Sequence, residues 1–590
     1  MGQETCPPDP LGGVVMLDVK TDRRFNVIEP VNKGWSSDKK YYVETITGER
    51  LLLRTADRPQ YEMKKSEFEA MKQLAEMGIS MSNPLEFGLC DEGDSVYTLF
   101  SWCDGEDAAE VLPKLTDTEQ YELGLKSGRY LRQIHSIPAP ADEESWEMKF
   151  NRKVDSKIKQ YNECPIKIDG GDQIIAYIEA NKHLLVGRPQ SFHHGDYHVG
   201  NMVISEEKEL SIIDFNRHDF GDPWEEFNRI VWSASASPHF ATGQLNGYFG
   251  GRPPEEFFKL MTFYISSNML SSISWAIVFG EKEVEVMKEQ ANEVMEWFDG
   301  MNNPVPTWYL EDFYVQYINQ IPYKLKSPFD FSFIKQYGEV FKVYDDQDSG
   351  NICFGVKNGD DRYFIKFAGA PTARYQGKPE DAIAELKAAV HVYEDLAHPY
   401  LVRLIRSEEA GGGFAAIFEW TDGECMGRMY PLSREKFMRM PDKTRLGVFS
   451  DIIDFHIHVI KKGCVAIDFY DGSILFDFKK EKTFICDIDL YTKCPYMNEM
   501  GRMWGSSRFM SPEEFELGAK IDEITNVYLM GATAFALFGG ETDRSRDNWR
   551  LSGELYNTAA KAVSDDRTSR HQTLAQFKEE WIRGTGKLTQ

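Results

Sequence analysis

Cysteine is scarce: nine residues in 590, at positions 6, 90, 103, 164, 353, 425, 464, 486 and 494, odd in number and without a CxxC pair. That spacing argues against both a disulfide framework and a cysteine-bound zinc site. No uncharged apolar run reaches membrane-spanning length, and the amino-terminal "MGQETCPPDPLGG" lacks a basic segment leading into an apolar core. Neither a membrane span nor a secretory leader is expected, and the chain reads as cytoplasmic. Positive charge is also short, 67 Lys and Arg against 94 Asp and Glu, for a formal net charge of -27. Nucleic acid and anionic membrane surfaces repel such a chain, so neither is an expected partner, and a cationic small ligand suits it better.

What is present is a globular composition, 42% hydrophobic and 13% aromatic, over a length that calls for two or three domains. A pattern occurs twice. "FSWCDGE" at 100–106 returns as "FEWTDGE" at 418–424, an offset of 318 residues. The strand-like "LLLRTA" returns as "YFIKFA", setting Arg54 against Lys366, and the amphipathic "SEFEAMKQL" returns as "AIAELKAAV", setting Glu67 against Glu385. Further on, "HGDYHVGNMVI" corresponds to "AIDFYDGSILF" and "SIIDFN" to "FICDIDL", so Asp196 matches Asp468 at an offset of 272 and Asp214 matches Asp487 at 273. The first copy therefore carries about 46 extra residues between 106 and 193, from 318 − 272, with helical periodicity in "YELGLKSGRYLRQIH" and "QIIAYIEANKHLL". Beside a catalytic loop, such an insertion is a natural place for a substrate pocket. Prolines interrupt the pattern over 301–331, which places the boundary between copies near 318.

The repeated polar residues suit phosphoryl transfer. That reaction needs divalent metal on the phosphates, a cation on the nucleotide and a carboxylate oriented toward the attacking hydroxyl. In the first copy Asp196 would accept the hydroxyl proton, while Asn201 and Asp214 would supply oxygen ligands for Mg2+. Five residues from Asp196 to Asn201 let one loop carry base and ligand, with Gly195 and Gly200 permitting the turns. The hairpin over "MVISEEKELSIID" then returns the chain to the same place.

"HGDYHVGN" followed by "IIDF" and "GDPWEEF" resembles the catalytic motifs of the aminoglycoside phosphotransferase and choline kinase family, over roughly residues 25 to 305. The resemblance implies Asp196 as catalytic base, Asn201 and Asp214 as magnesium ligands, and Arg54 in place of the family's nucleotide-binding lysine, paired with Glu67. Arginine keeps the charge, but its planar fork is not equivalent to an ammonium. Asp222 in "GDP" would brace the loop or cap the following helix, and His194 and His135 would be structural.

The second copy resembles a serine/threonine protein kinase domain over roughly 333 to 585. Here the resemblance implies Lys366 as the strand lysine, Glu385 as its helix partner, Asp468 as the catalytic aspartate, Asp487 as a metal ligand, and Glu513 with Arg570 as a buried ion pair. Departures stand beside it. The glycine-rich loop is reduced to Gly338, H-R-D has become Ala466, Ile467 and Asp468, the metal-binding asparagine is Ser473, and the D-F-G glycine is Asp489. Asp489 or Asp471 are the candidates to compensate for Ser473.

Together the resemblances imply an α+β chain of two tandem protein-kinase-like bilobal domains, each with a small β-rich lobe and a larger helical lobe. Residues 1–24 form an extension, 25–318 an aminoglycoside phosphotransferase-like domain and 319–590 a protein kinase-like domain. The implied activity is Mg2+-dependent transfer of the γ-phosphoryl group of ATP or GTP to a hydroxyl of an aminoglycoside-like or amino-alcohol small molecule, with a second kinase in the carboxy-terminal half. The alternatives are a signalling kinase acting on protein substrates under control of the first domain, and a non-catalytic pseudokinase controlling the first domain.

Overall fold

A computed structural model describes residues 23, 25–31, 38–540 and 542–586. Of the extension expected over 1–24, all but Arg23 lies outside the described residues. The described chain divides into two compact units between Glu311 and Asp312. The division precedes residue 318 because Tyr314–Ile318 pairs antiparallel with Ile321–Leu325, and a cut at 318 would split that hairpin. Among the described residues no helix is long and apolar enough to cross a membrane.

The first unit opens with an antiparallel sheet of β1 (Phe25–Pro30), β2 (Lys39–Thr45), β3 (Arg50–Asp57), β4 (Pro84–Cys90) and β5 (Ser95–Ser101), in the order β1-β2-β3-β5-β4. Alternation along β3 sends Leu51 and Leu53 into a small core with Val43 and Leu99. Leu52 and Arg54 therefore share the other face. Helix α1 (Tyr61–Glu76) buries Lys64, Glu67, Phe68, Met71 and Leu74, a stripe at three- and four-residue spacing.

The rest of the unit is mainly helical. Helix α2 (Asp117–Ile134) starts in a capping box of Thr116 and Glu119, and it packs against the helix Pro238–Phe249 at very short range. A Cβ at Gly124 or Gly128 would stand 2.2 or 2.1 Å from a carbonyl oxygen of that helix, and one at Gly243 or Gly247 would meet α2 as closely. Two glycines from each helix thus permit the contact.

Asp196 lies 62 residues beyond the end of α2, from 134 to 196. The inserted helices α3 (Trp146–Glu163) and α4 (Gly171–Asn181) lie in that interval and account for nearly half of it, 18 and 11 residues. Trp146 Nε1 donates to Tyr264 Oη at 2.9 Å and Phe150 meets the same ring edge-on, so the insertion is part of the core. After it, Ser191–His193 pairs with Asp219–Gly221, and Met202–Ile204 with Leu210–Ile212. The loop 193–201 and Asp214 emerge from these pairings.

The second unit repeats the strand order in a five-stranded antiparallel sheet: Glu339–Tyr344, Asn351–Asn358, Asp361–Ala368, Gly413–Glu419, Leu404–Ala410. The helix Pro379–Asp395 follows its third strand, as α1 follows β3. From the end of the helix Asp442–Lys461 to Asp468 is only seven residues, so the counterpart of α3 and α4 is missing here.

Candidate active site

Arg54 sits at the centre of a buried ionic cluster. Its guanidinium lies 2.8 Å from Asp38, 3.5 Å from Glu67 and 3.3 Å from Asp214. Lys64, one turn before Glu67 on α1, donates to Asp38 at 2.6 Å and to Glu67 at 3.2 Å. The expected pair of Arg54 and Glu67 is therefore present, within a set of two cations and two carboxylates nearly closed to solvent. Lys40 Nζ reaches the other oxygen of Asp214 at 3.2 Å. Burial works against the Asp214 carboxylate, but Arg54 and Lys40 hold it below the usual range.

The loop bearing Asp196 is tied to Asp214 through His194. The His194 Nε2 lies 2.9 Å from the Ile213 carbonyl, and its Nδ1 accepts from the Asp196 amide at 3.2 Å. Burial lowers this imidazole toward neutrality, as that pair of roles requires. Asn201 Nδ2 donates to the Asp196 carbonyl at 2.8 Å and Ile213 N to the Asn201 carbonyl at 3.0 Å, closing the ring of contacts. Asp214 adopts φ +67°, a conformation L residues hold only when their surroundings impose it. Gly195, at φ +85°, passes so close to Arg217 that a Cβ would stand 1.9 Å from its carbonyl oxygen.

Beneath the loop lies Glu226, only 2% exposed. Its carboxylate accepts the amides of His194 and Gly195, each at 2.8 Å, and stands 3.5 Å from His135 Nε2. Burial would raise this carboxyl, but the facing His135 above all, with His193, holds it down at about 2. His135 Nδ1 pairs with Tyr248 Oη at 2.9 Å, the structural place expected of it. Asp222, fully buried, receives Arg188 at 2.7 and 2.9 Å, Tyr264 Oη at 2.6 Å and the Trp224 amide at 3.0 Å. It braces the loop and starts the turn that delivers Glu226.

The Asp196 carboxylate faces two guanidiniums, Arg229 Nε at 3.3 Å and Arg217 at 3.7 Å, and the His198 imidazole, whose Nε2 lies 3.5 Å away. Burial alone would raise it, yet these neighbours keep it well below the carboxylate range. It is ionised. Asn201 and Asp214 offer hard oxygens that fit Mg2+, which takes one or two protein ligands and completes its shell with phosphates and water. No cluster of three or more His, Cys, Asp or Glu side chains suited to a metal occurs among the described residues.

The second unit is wired differently. Lys366 Nζ lies 3.3 Å from Asp487 and 2.7 Å from Asp489, and Tyr393 Oη donates to Asp489 at 3.1 Å. Glu385, expected as the partner of Lys366, is exposed and is not paired with it. Asp489, two residues past Asp487, has taken its place and lies nearer the ammonium. Asp471 does not substitute for Ser473, because Arg434 (2.8 Å) and both arms of Arg508 (3.0 and 2.8 Å) enclose its buried carboxylate. Ser473 Oγ is buried without a hydrogen-bond partner. Asp468, at φ +58°, is pushed up to about 7 by burial and by Asp487 and Asp348. Asn526 fixes its loop through the Ala466 amide (2.9 Å) and carbonyl (3.0 Å). Glu513 and Arg570 form a bidentate pair at 2.7 and 3.0 Å.

Sequence reasoning missed Asp38, Lys64, Glu226 and the Arg217–Arg229 flank. Lys64 was discoverable, since three-residue spacing puts it on the face of Glu67. Glu226 had only its place in "PWEEF", and Asp38 had no signal.

Residues 27–258 match the phosphotransferase enzyme family (APH), which covers less than half of the 590 residues. No curated protein matches the chain. The amino-terminal part is thus similar to phosphotransferases of kinase type.

Proposed function

We propose that the first unit transfers the γ-phosphoryl group of ATP or GTP to a hydroxyl of a small molecule. The observation that carries this reading is one braced loop that presents an ionised Asp196, holds Asn201 five residues on, and is tied through His194 to the strand end bearing Asp214. Asp196 orients the acceptor hydroxyl and takes its proton as the oxygen attacks the γ-phosphorus. The bond to the β-phosphate oxygen breaks, leaving a phosphomonoester and a nucleoside diphosphate. Mg2+, held by Asn201 and Asp214, would neutralise phosphate charge. Arg54 keeps Asp214 ionised and anchors α1 through Glu67.

For the second unit, the capture of Lys366 by Asp489 favours a regulatory, nucleotide-responsive role over transfer. Both readings meet in one experiment: γ-labelled ATP or GTP with Mg2+, offered to small hydroxyl compounds and to a generic protein acceptor. The expected label enters small molecules, is lost with Asp196→Asn and persists with Asp468→Asn. Label in protein, lost only with Asp468→Asn, would make the second unit the enzyme.

A further inference from the structure

The acceptor side of Asp196 carries the opposite charge from the chain as a whole. Arg229 and Arg217 each meet Asp196 through one long contact, at 3.3 and 3.7 Å, and neither guanidinium makes a hydrogen bond among the described residues. A guanidinium has five N–H donors, so most remain uncommitted. The two side chains are 27% and 49% exposed, and His198, 3.5 Å from Asp196, is 20% exposed. The inserted helix α3 adds Lys157, half-buried, with Lys153, Glu225 and Arg229 as its charged surroundings and no ion pair or hydrogen bond among the described residues. Burial and the neighbouring Lys153 and Arg229 push Lys157 down to about 7, the mark of an ammonium lacking a counterion. Glu225 is already shared with Lys153 at 3.3 Å. Three cations, Arg217, Arg229 and Lys153, thus stand against two carboxylates, Asp196 and Glu225, with Lys157 close enough to Arg229 to become a further cation once an anion binds.

We infer that this ring is an anion subsite, and that the acceptor hydroxyl belongs to a molecule bearing a phosphate or carboxylate. The inference rests on the phosphotransfer reading for its acceptor role, but the anion subsite stands apart from it. It reverses the cationic acceptor that bulk composition favoured: the insertion brings Lys153 to Glu225 at 3.3 Å and Lys157 close to Arg229, which itself meets Asp196. Guanidiniums in a fork matched to phosphate and carboxylate recognise such groups bidentately, and a cationic amino-alcohol would be repelled.

The test is calorimetric titration of the full chain with inorganic phosphate, the nucleotide site being saturated with Mg2+ and a non-hydrolysable ATP analogue so that the γ-phosphate position is filled. Phosphate should still bind, and Arg217→Gln or Lys157→Gln should weaken it at least tenfold while analogue affinity changes less than threefold. Arg217 is half exposed, so its variant keeps the fold. Absence of phosphate binding, equal binding in both variants, or a parallel loss of analogue affinity would overturn the inference. In the acceptor arm, transfer to glycerol 3-phosphate or glycerate over glycerol and ethanolamine supports it, and preference for ethanolamine contradicts it. Phosphate binding by a chain that binds no nucleotide would retain the subsite and remove the phosphotransfer reading.

Discussion

Replacing Glu226 by glutamine tests how the catalytic loop is held. The buried carboxylate accepts two backbone amides at 2.8 Å, from His194 and Gly195. Glutamine can offer its oxygen to only one of them and turns an N–H toward the other, so one charge-assisted bond of roughly 1.5–3 kcal/mol is lost and an amide is left unsatisfied. Linkage gives a comparable figure. A carboxyl held at about 2 against an ordinary 4.5 contributes about 3 kcal/mol near neutral pH. The folded pKa is depressed, so the stabilisation is complete above the unfolded pKa and is lost as pH falls from about 4.5 toward about 2. Urea unfolding should show Glu226→Gln less stable by about 3 kcal/mol at pH 7, and the deficit should shrink to about half or less at pH 3. Hydrogen exchange should speed up in residues 191–204. A variant within about 0.5 kcal/mol of the parent at pH 7, or a deficit identical at both pH values, would refute the brace.

Arg54→Met leaves Asp38, Glu67 and Asp214 short of a shared cation and should cost about 3–5 kcal/mol in thermal or urea unfolding, with Arg54→Lys only partly restoring it. In the second unit, Asp471→Asn removes the charge between Arg434 and Arg508 and should destabilise by about 3 kcal/mol on the same assay. Gly128→Ala drives a methyl to 2.1 Å from the Gln244 carbonyl and should cost roughly 1–3 kcal/mol, measured by the unfolding midpoint.

The parts legible in the sequence were those carried by periodicity or by one short loop. The repeated strand–helix–strand pattern anticipated the two sheets of identical strand order. Asp196 and Asn201 are loop neighbours, so their spacing already fixed their proximity. Lys366 shows the limit. Nothing in "FICDIDL" says whether an ammonium will choose a helix glutamate or an aspartate two residues past Asp487, because the choice depends on where the helix Pro379–Asp395 lies. The cationic ring was invisible for the same reason: Lys157, Arg217 and Arg229 come from three segments, and a net charge of -27 averages over all of them.

The most direct test of the central claim separates chemistry from binding in Asp196→Asn. The amide keeps the shape of the side chain but accepts no proton, so kcat for Mg2+–nucleotide-dependent transfer should fall at least about 100-fold, with the nucleotide dissociation constant unchanged. A variant retaining the parent kcat would remove Asp196 from the reaction and with it the proposed mechanism.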